Sequence, residues 1–225
     1  MAQIFKLEII IGTIIILSSL LTSILLRISL DNKIYFKYFY LYPLSAFLLS
    51  LVTIINYYFN SFSKSTVNTL QNVFVIIENV FWGFFFLKFS IERKTQKSYI
   101  NKIFSLSLLT VLVLLFANKI NTPNFKIVAI SNLGFTLYCF TYFITIFKTE
   151  PKLKITKDPV FWIVTGLLFY SAFSLPLFPI AEYFKINNKI TLTFVIISII
   201  NLLIIFMHLF FIKGFICLIR LHKVL

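Results

Sequence analysis

The chain has 225 residues, of which 60% are hydrophobic and only 12% are charged, and its formal net charge is +14. A soluble domain carries about 25% charged residues, so this composition excludes an ordinary water-facing surface and indicates a protein buried in a lipid bilayer. The basic residues lie in short clusters between apolar runs, which argues against nucleic-acid binding and is typical of the cytoplasmic flanks of membrane spans.

Seven apolar runs follow one another along the chain, each close to the ~20 residues that a helix needs to cross a bilayer. The runs are continuously apolar, whereas the strands of a membrane β-barrel alternate. We therefore predict an all-α polytopic transmembrane bundle, one domain over 1–225, with spans at about 9–26, 38–59, 70–89, 103–119, 127–147, 160–181 and 190–212. The first run resembles a signal peptide but lacks a small-residue cleavage motif, so we expect it to be retained.

The distribution of Lys and Arg predicts the orientation of the bundle. The side reached after spans one, three, five and seven holds 15 basic residues, and the other side holds 6. The more basic side of a membrane protein generally faces the cytoplasm, so we predict the N-terminus outside and the C-terminus inside. A multi-pass protein of the cell's inner (plasma) membrane fits this pattern, and its short connections indicate that it acts within the bilayer or through a partner.

Glu78 lies eight residues into the third span, ~12 Å deep at 1.5 Å per residue. An ionisable group at that depth is costly and generally faces the interior of a bundle. In span seven, Ser198 and Asn201 share a helical face and are expected level with Glu78, with His208 one to two turns nearer the cytoplasm. Span six adds Tyr170. We therefore predict a ligand or ion pocket at Glu78, Tyr170, Ser198 and Asn201.

A secondary polar stripe is formed by Asn79, Asn132, Thr136 and His208. Two interpretations stay open, because polar side chains in spans either bind a ligand or only hydrogen-bond neighbouring helices. The structural interpretation is favoured for His208, which has no second ligand at helical spacing. With two Cys, two His and no phosphate-binding or zinc motif, the sequence predicts no metal and no cofactor.

An internal repeat offers a further interpretation. The segment 45–51 resembles 171–177, and their offset of 126 lays spans one to three over spans five to seven. A three-plus-one-plus-three parallel repeat is typical of some transporters, and Glu78 would then be a proton or cation site. Within span six, Pro176 and Pro179 either kink the helix at a pocket or end it early.

The segment 158–170, DPVFWIVTGLLFY, resembles a recurring segment of small seven-helix bacterial membrane proteins. Similar regions occur as the N-terminal membrane sensor parts of some sensor histidine kinases. The resemblance implies an input role, with the signal passed to a histidine kinase or to another membrane protein. The sequence stops at Leu225 without a kinase core, so we expect the output to need a separate partner. In the same segment, Asp158 is a suitable cap for span six.

The leading hypothesis is therefore an integral membrane sensor or receptor-like subunit that is not an enzyme. A small transporter of the three-plus-one-plus-three type is the alternative. A lipid-acting membrane enzyme is a third interpretation, although no catalytic motif supports it.

Overall fold

The computed structural model describes residues 2–29, 39–59, 62–92, 97–118, 125–149 and 155–222. These ranges form seven α-helices and one 3₁₀ turn, Ile155–Lys157. The helices are α1 (Ala2–Ser29), α2 (Leu41–Phe59), α3 (Lys64–Glu92), α4 (Lys97–Asn118), α5 (Phe125–Thr149), α6 (Pro159–Ile186) and α7 (Ile190–His222). The described residues contain no β-strand, so the all-α fold class is confirmed.

Each predicted span falls on one of these helices, and the helices mostly extend further at both ends. The predicted span limits at positions 38 and 119 lie outside the described residues. Five helices, α3 to α7, are long and apolar enough to cross a membrane. The apolar stretches described in α1 and α2, Ile9–Ile24 and Leu41–Asn56, are shorter.

Both ends of α6 are fixed by hydrogen bonds. The side chain of Asp158 accepts a 3.0 Å bond from the backbone N–H of Val160, which confirms the predicted cap. At the other end Asn188 takes a left-handed conformation with φ 56°, and the N–H of Lys189 donates to the carbonyl of Phe184 at 2.9 Å. This pattern satisfies helix carbonyls that would otherwise lack a donor and turns the chain directly into α7.

The helix α6 passes through Pro176 and Pro179 and continues to Ile186. The interpretation in which these prolines end the span early is therefore wrong. A membrane helix tolerates such residues where neighbouring groups satisfy the freed carbonyls.

The helices are arranged in a ring in which consecutive members are neighbours. In addition, α1 packs against α7 and closes the ring, and α3 contacts α5 directly. Consequently α4 lies outside, against α3 and α5, and much of its surface is apolar and exposed. The inner ring thus consists of α1, α2, α3, α5, α6 and α7.

The most extensive helix pair is α6 with α7, and small residues hold it close. A Cβ atom on Gly166 would lie 2.6 Å from Cβ of Phe210 and 3.0 Å from the carbonyl oxygen of Met207. A Cβ atom on Gly214 would lie 2.9 Å from the carbonyl oxygen of Pro159. Glycine at these two positions therefore allows the backbones of the two helices to approach each other, as is common in membrane bundles.

Candidate functional site

A cavity of about 120 Å³ lies inside the ring, and we name it the inner cavity. It is lined by residues of α1, α2, α3, α6 and α7: Ile16, Tyr42, Ala46, Leu49, Ser50, Phe74, Glu78, Tyr170, Ile204, Met207 and His208. A space of this size holds several water molecules or a small chemical group.

The carboxyl group of Glu78 is the central polar group of the inner cavity. Its side chain is 6% exposed, and the hydroxyl of Tyr42 donates a 2.8 Å hydrogen bond to its Oε1 atom. Tyr170 also lines the cavity and lies within electrostatic reach of Glu78. Two phenol rings from different helices therefore approach one buried carboxyl group, and the bond from Tyr42 offsets part of the cost of removing that group from water.

His208 reaches the same cavity from α7. Its Nδ1 atom lies 2.9 Å from the carbonyl oxygen of Ile204. Since a carbonyl only accepts, Nδ1 must carry the proton of this bond, and in the neutral ring Nε2 is then an acceptor. His208 is 1% exposed, and its Nε2 has no hydrogen-bond partner among the described residues. A buried polar atom without a partner is costly, so a donor from a ligand or a water molecule would stabilise it, but protein atoms enclose Nε2 and must move slightly to admit one.

A second cavity of about 370 Å³ adjoins the first, and we name it the vestibule. The two cavities share Ile16, Leu49, Ser50 and Ile204. The other residues of the vestibule are Ile9, Gly12, Thr13, Thr53, Gln71, Ile197 and Asn201. Five of its eleven lining residues carry hydroxyl or amide side chains, and these come from four helices.

The order of these residues gives the direction of the vestibule. Along α1, α3 and α7 the vestibule residues precede those of the inner cavity, whereas along α2 they follow them. The vestibule therefore lies towards the end of the bundle where α1, α3 and α7 begin, which we name the N-end. The two cavities therefore follow one another from near the N-end to Glu78, with Ser50 as the polar side chain that they share, and we name this succession the path.

Beyond Glu78, towards the opposite end, aromatic rings close the path. We name the set Phe39, Trp82, Phe85, Phe211 and Phe215 the aromatic layer. The ring of Phe39 is 1% exposed, and its centroid lies 5.4–6.0 Å from those of the other four. The contacts are edge-to-face, a favourable arrangement for aromatic rings. On α3 and α7 the layer lies one to two turns after Glu78 and His208.

The four residues predicted for the pocket do not all meet. Glu78 and Tyr170 share the inner cavity, Asn201 lines the vestibule, and Ser198 is half-buried and lines neither. His208, expected nearer the cytoplasm, lies at the level of Glu78 instead. The predicted level of α7 relative to α3, counted from the start of each span, was wrong. The polar α7 residue that shares the inner cavity with Glu78 is His208, about two turns after Asn201.

Asn79, the neighbour of Glu78, points to a different junction. Its Nδ2 atom donates to Oγ of Ser131 at 2.8 Å and to the carbonyl of Val75 at 2.9 Å. Its Oδ1 atom accepts a 2.9 Å bond from the hydroxyl of Ser107. We name Asn79, Ser107 and Ser131 the polar junction. It connects α3, α4 and α5 inside the protein, which fits the structural interpretation of this part of the stripe.

Asn132 and Thr136 form a seam between α5 and α6. The amide of Asn132 donates to Oγ of Ser174 at 2.9 Å, and the hydroxyl of Thr136 lies 3.0 Å from Oγ of Ser171. Thr136 also donates to the carbonyl of Asn132 at 2.8 Å. All four side chains are buried, so the seam satisfies its own polar groups.

Tyr42 was missed by sequence reasoning, although it makes the shortest described contact with Glu78. It stands in the first turn of α2, after Tyr38 and Tyr40, where tyrosines typically anchor a span at the membrane surface. The side chain of Tyr42 points inward because α2 packs on α3, and no local sequence pattern predicts that packing. The three serines bonded to Asn79 and Asn132 were not predicted, for the same reason.

Comparison of the chain with protein-family models, curated proteins and solved structures finds no match, so the resemblance of segment 158–170 to sensor regions stays a prediction.

Proposed function

We propose that this protein is a seven-span membrane sensor or receptor-like subunit that binds a small ligand in the inner cavity. The observation that carries the proposal is the buried carboxyl group of Glu78 in the inner of two adjoining cavities. The path reaches Glu78 from the N-end through the vestibule, and the aromatic layer closes it beyond. A site reached from one side and closed on the other suits a receptor, whose ligand binds and leaves by the same route.

The proposed topology gives this path a direction. With 15 basic residues on one side and 6 on the other, the N-end faces outside and the C-terminus faces the cytoplasm. The ligand therefore arrives from outside the cell. The helices α3 and α7 run from the inner cavity through the aromatic layer towards the cytoplasm, so a shift of either helix on binding reaches a cytoplasmic partner.

A carrier is the second candidate, and the ring of helices favours it. Under the three-plus-one-plus-three repeat, the contact of α1 with α7 corresponds to that of α5 with α3, and both are present. The contacts of α1 with α2 and of α2 with α3 likewise correspond to those of α5 with α6 and of α6 with α7. The position of α4 outside the inner ring is what a linking helix between two repeats requires.

Two experiments on the full chain separate the candidates. For the sensor, we expect a histidine kinase to co-purify from native membranes and its autophosphorylation to change when Glu78→Gln is introduced. For the carrier, we expect solute accumulation in proteoliposomes that Glu78→Gln abolishes. A matched control is Glu182→Gln, which removes a carboxyl group far from the inner cavity. If Glu78→Gln alters neither readout, the proposed role of this site is refuted.

A further inference from the structure

The charges around the inner cavity select the kind of ligand. Among the described residues that line the inner cavity and the vestibule, Glu78 is the one acidic side chain and none is Lys or Arg. An anionic ligand would meet a carboxyl group with no counter-charge, which is unfavourable in a low-dielectric interior. A cation would instead be attracted to the carboxyl group of Glu78.

The hydrogen-bonding groups of the inner cavity favour a ligand that carries N–H donors. The hydroxyl of Tyr42 bonds to Oε1 of Glu78, and a carboxylate has about four acceptor sites, so the group can accept further hydrogen bonds. Nε2 of His208 has no partner among the described residues, and in the neutral ring it accepts hydrogen bonds. A ligand with several N–H donors on a positive charge would satisfy the carboxyl group of Glu78 and, with a small movement of the side chains that enclose it, Nε2 of His208.

Aromatic rings complete this environment. Tyr42, Phe74 and Tyr170 line the inner cavity, and Tyr42 is stacked on Phe81 with centroids 5.2 Å apart. The face of an aromatic ring attracts an organic cation at about 6 Å or less. A zinc ion fits less well, because the described residues hold no group of three or more His, Cys, Asp or Glu, and zinc uses three or four protein ligands.

We propose that the inner cavity binds a primary ammonium group, between the carboxyl group of Glu78 and Nε2 of His208 and against the rings of Tyr42, Phe74 and Tyr170. The rest of the ligand extends into the vestibule, whose hydroxyl and amide groups bind its polar parts. This assignment rests on the proposed ligand-binding function and names the ligand class for the same site.

The test is a titration of the purified full chain with solutes that differ in charge and in N–H donors, followed by thermal unfolding. Propylammonium carries a positive charge at pH 7 as a lysine side chain does, 1-propanol is its uncharged analogue, and tetramethylammonium has no N–H donor. We expect propylammonium to bind at least about tenfold more tightly than 1-propanol. Glu78→Gln should remove this difference, and Glu182→Gln should preserve it.

A second variant separates the two acceptors. His208→Phe keeps a ring but removes Nε2, so it should weaken propylammonium about fivefold to tenfold and leave tetramethylammonium within about twofold. Equal weakening of both cations would refute the contact with His208. If Glu78→Gln does not fold, the ammonium assignment is tested on the unaltered chain, by comparing its affinity for propylammonium with that for 1-propanol.

The outcomes also distinguish this inference from the function on which it rests. Equal binding of propylammonium and 1-propanol, both lost in the cavity-filling variant Ala46→Phe, overturns the ammonium assignment and preserves ligand binding in the inner cavity. Absence of binding by propylammonium, tetramethylammonium and 1-propanol alike overturns the ammonium assignment and removes the support for the proposed function.

Discussion

Tyr42 Oη lies 2.8 Å from Glu78 Oε1 and joins the first turn of α2 to the middle of α3 inside the bundle. Both side chains are almost completely buried, at 3% and 6% exposure. The bond therefore fixes one carboxyl oxygen of a residue that lines the inner cavity and leaves the group with further acceptor sites.

Tyr42→Phe removes this donor with little change in shape. We expect the free energy of unfolding to fall by about 1–2 kcal/mol, because a buried carboxyl group loses a hydrogen-bond donor. Reversible unfolding in mixed detergent micelles measures the loss. Tyr183→Phe, at an exposed position near the end of α6, is the control and should change it by less than about 0.5 kcal/mol. Equal losses in the two variants would show that the bond contributes nothing specific.

Asn79→Ala tests the polar junction. The variant leaves Ser107 without its acceptor and Ser131 without its donor, so we expect a loss of about 1–3 kcal/mol. The double variant Asn79→Ala, Ser107→Ala should lose less than the sum of the single variants, because both remove the same bond. Additive losses would mean that the two residues act independently. Because the junction lies away from the inner cavity, propylammonium binding should be unchanged.

Gly166→Ala tests the close packing of α6 on α7. The added Cβ would lie 2.6 Å from Cβ of Phe210, so the two backbones must separate, and we expect a loss of about 1–3 kcal/mol. Gly12→Ala is the matched control, since its Cβ would meet nothing within 4 Å. That variant should be neutral or slightly stabilising, because alanine favours a helix. A harmless Gly166→Ala would contradict the close approach of the two helices.

Phe39→Ala opens the aromatic layer at its centre. The ring contacts four others of the layer, so its loss should cost about 2–4 kcal/mol through lost contacts and the space left behind. Phe116→Ala removes a ring of the same size from the outer face of α4, where Phe116 is 87% exposed, and should cost less than about 1 kcal/mol. Similar losses in the two variants would contradict the central position of Phe39.

The sequence predicts the helices and the burial of Glu78 better than it predicts which residues meet at the site. The seven helices follow from continuous apolar runs, because backbone groups in lipid must be satisfied within each segment. The burial of Glu78 follows from its depth, because an ionisable group that faces lipid is costly. Neither result needs knowledge of how the helices pack.

The composition of the site depends on that packing, and there the sequence was less informative. Tyr42 has the pattern of a surface anchor, yet α2 directs it inward onto Glu78. Ser198 shares a helical face with Asn201 but misses both cavities, because the level of α7 relative to α3 is set by contacts between helices. Asn79 and Glu78 are adjacent in sequence, but successive residues of α3 project in different directions, so their side chains contact different helices.

Cysteine labelling tests most directly the central claim that the vestibule is open to water-soluble molecules from outside the cell. In a parent without Cys139 and Cys217, Asn201→Cys places a thiol in the vestibule, and Leu202→Cys places one on the neighbouring lipid-facing surface, where Leu202 is 47% exposed. A membrane-impermeant thiosulfonate reagent reacts with thiolates in water. Added outside intact cells, it should label Asn201→Cys at least about tenfold faster than Leu202→Cys, since lipid excludes thiolates. Labelling of Asn201→Cys only from the cytoplasmic side, or from neither side, would contradict the account.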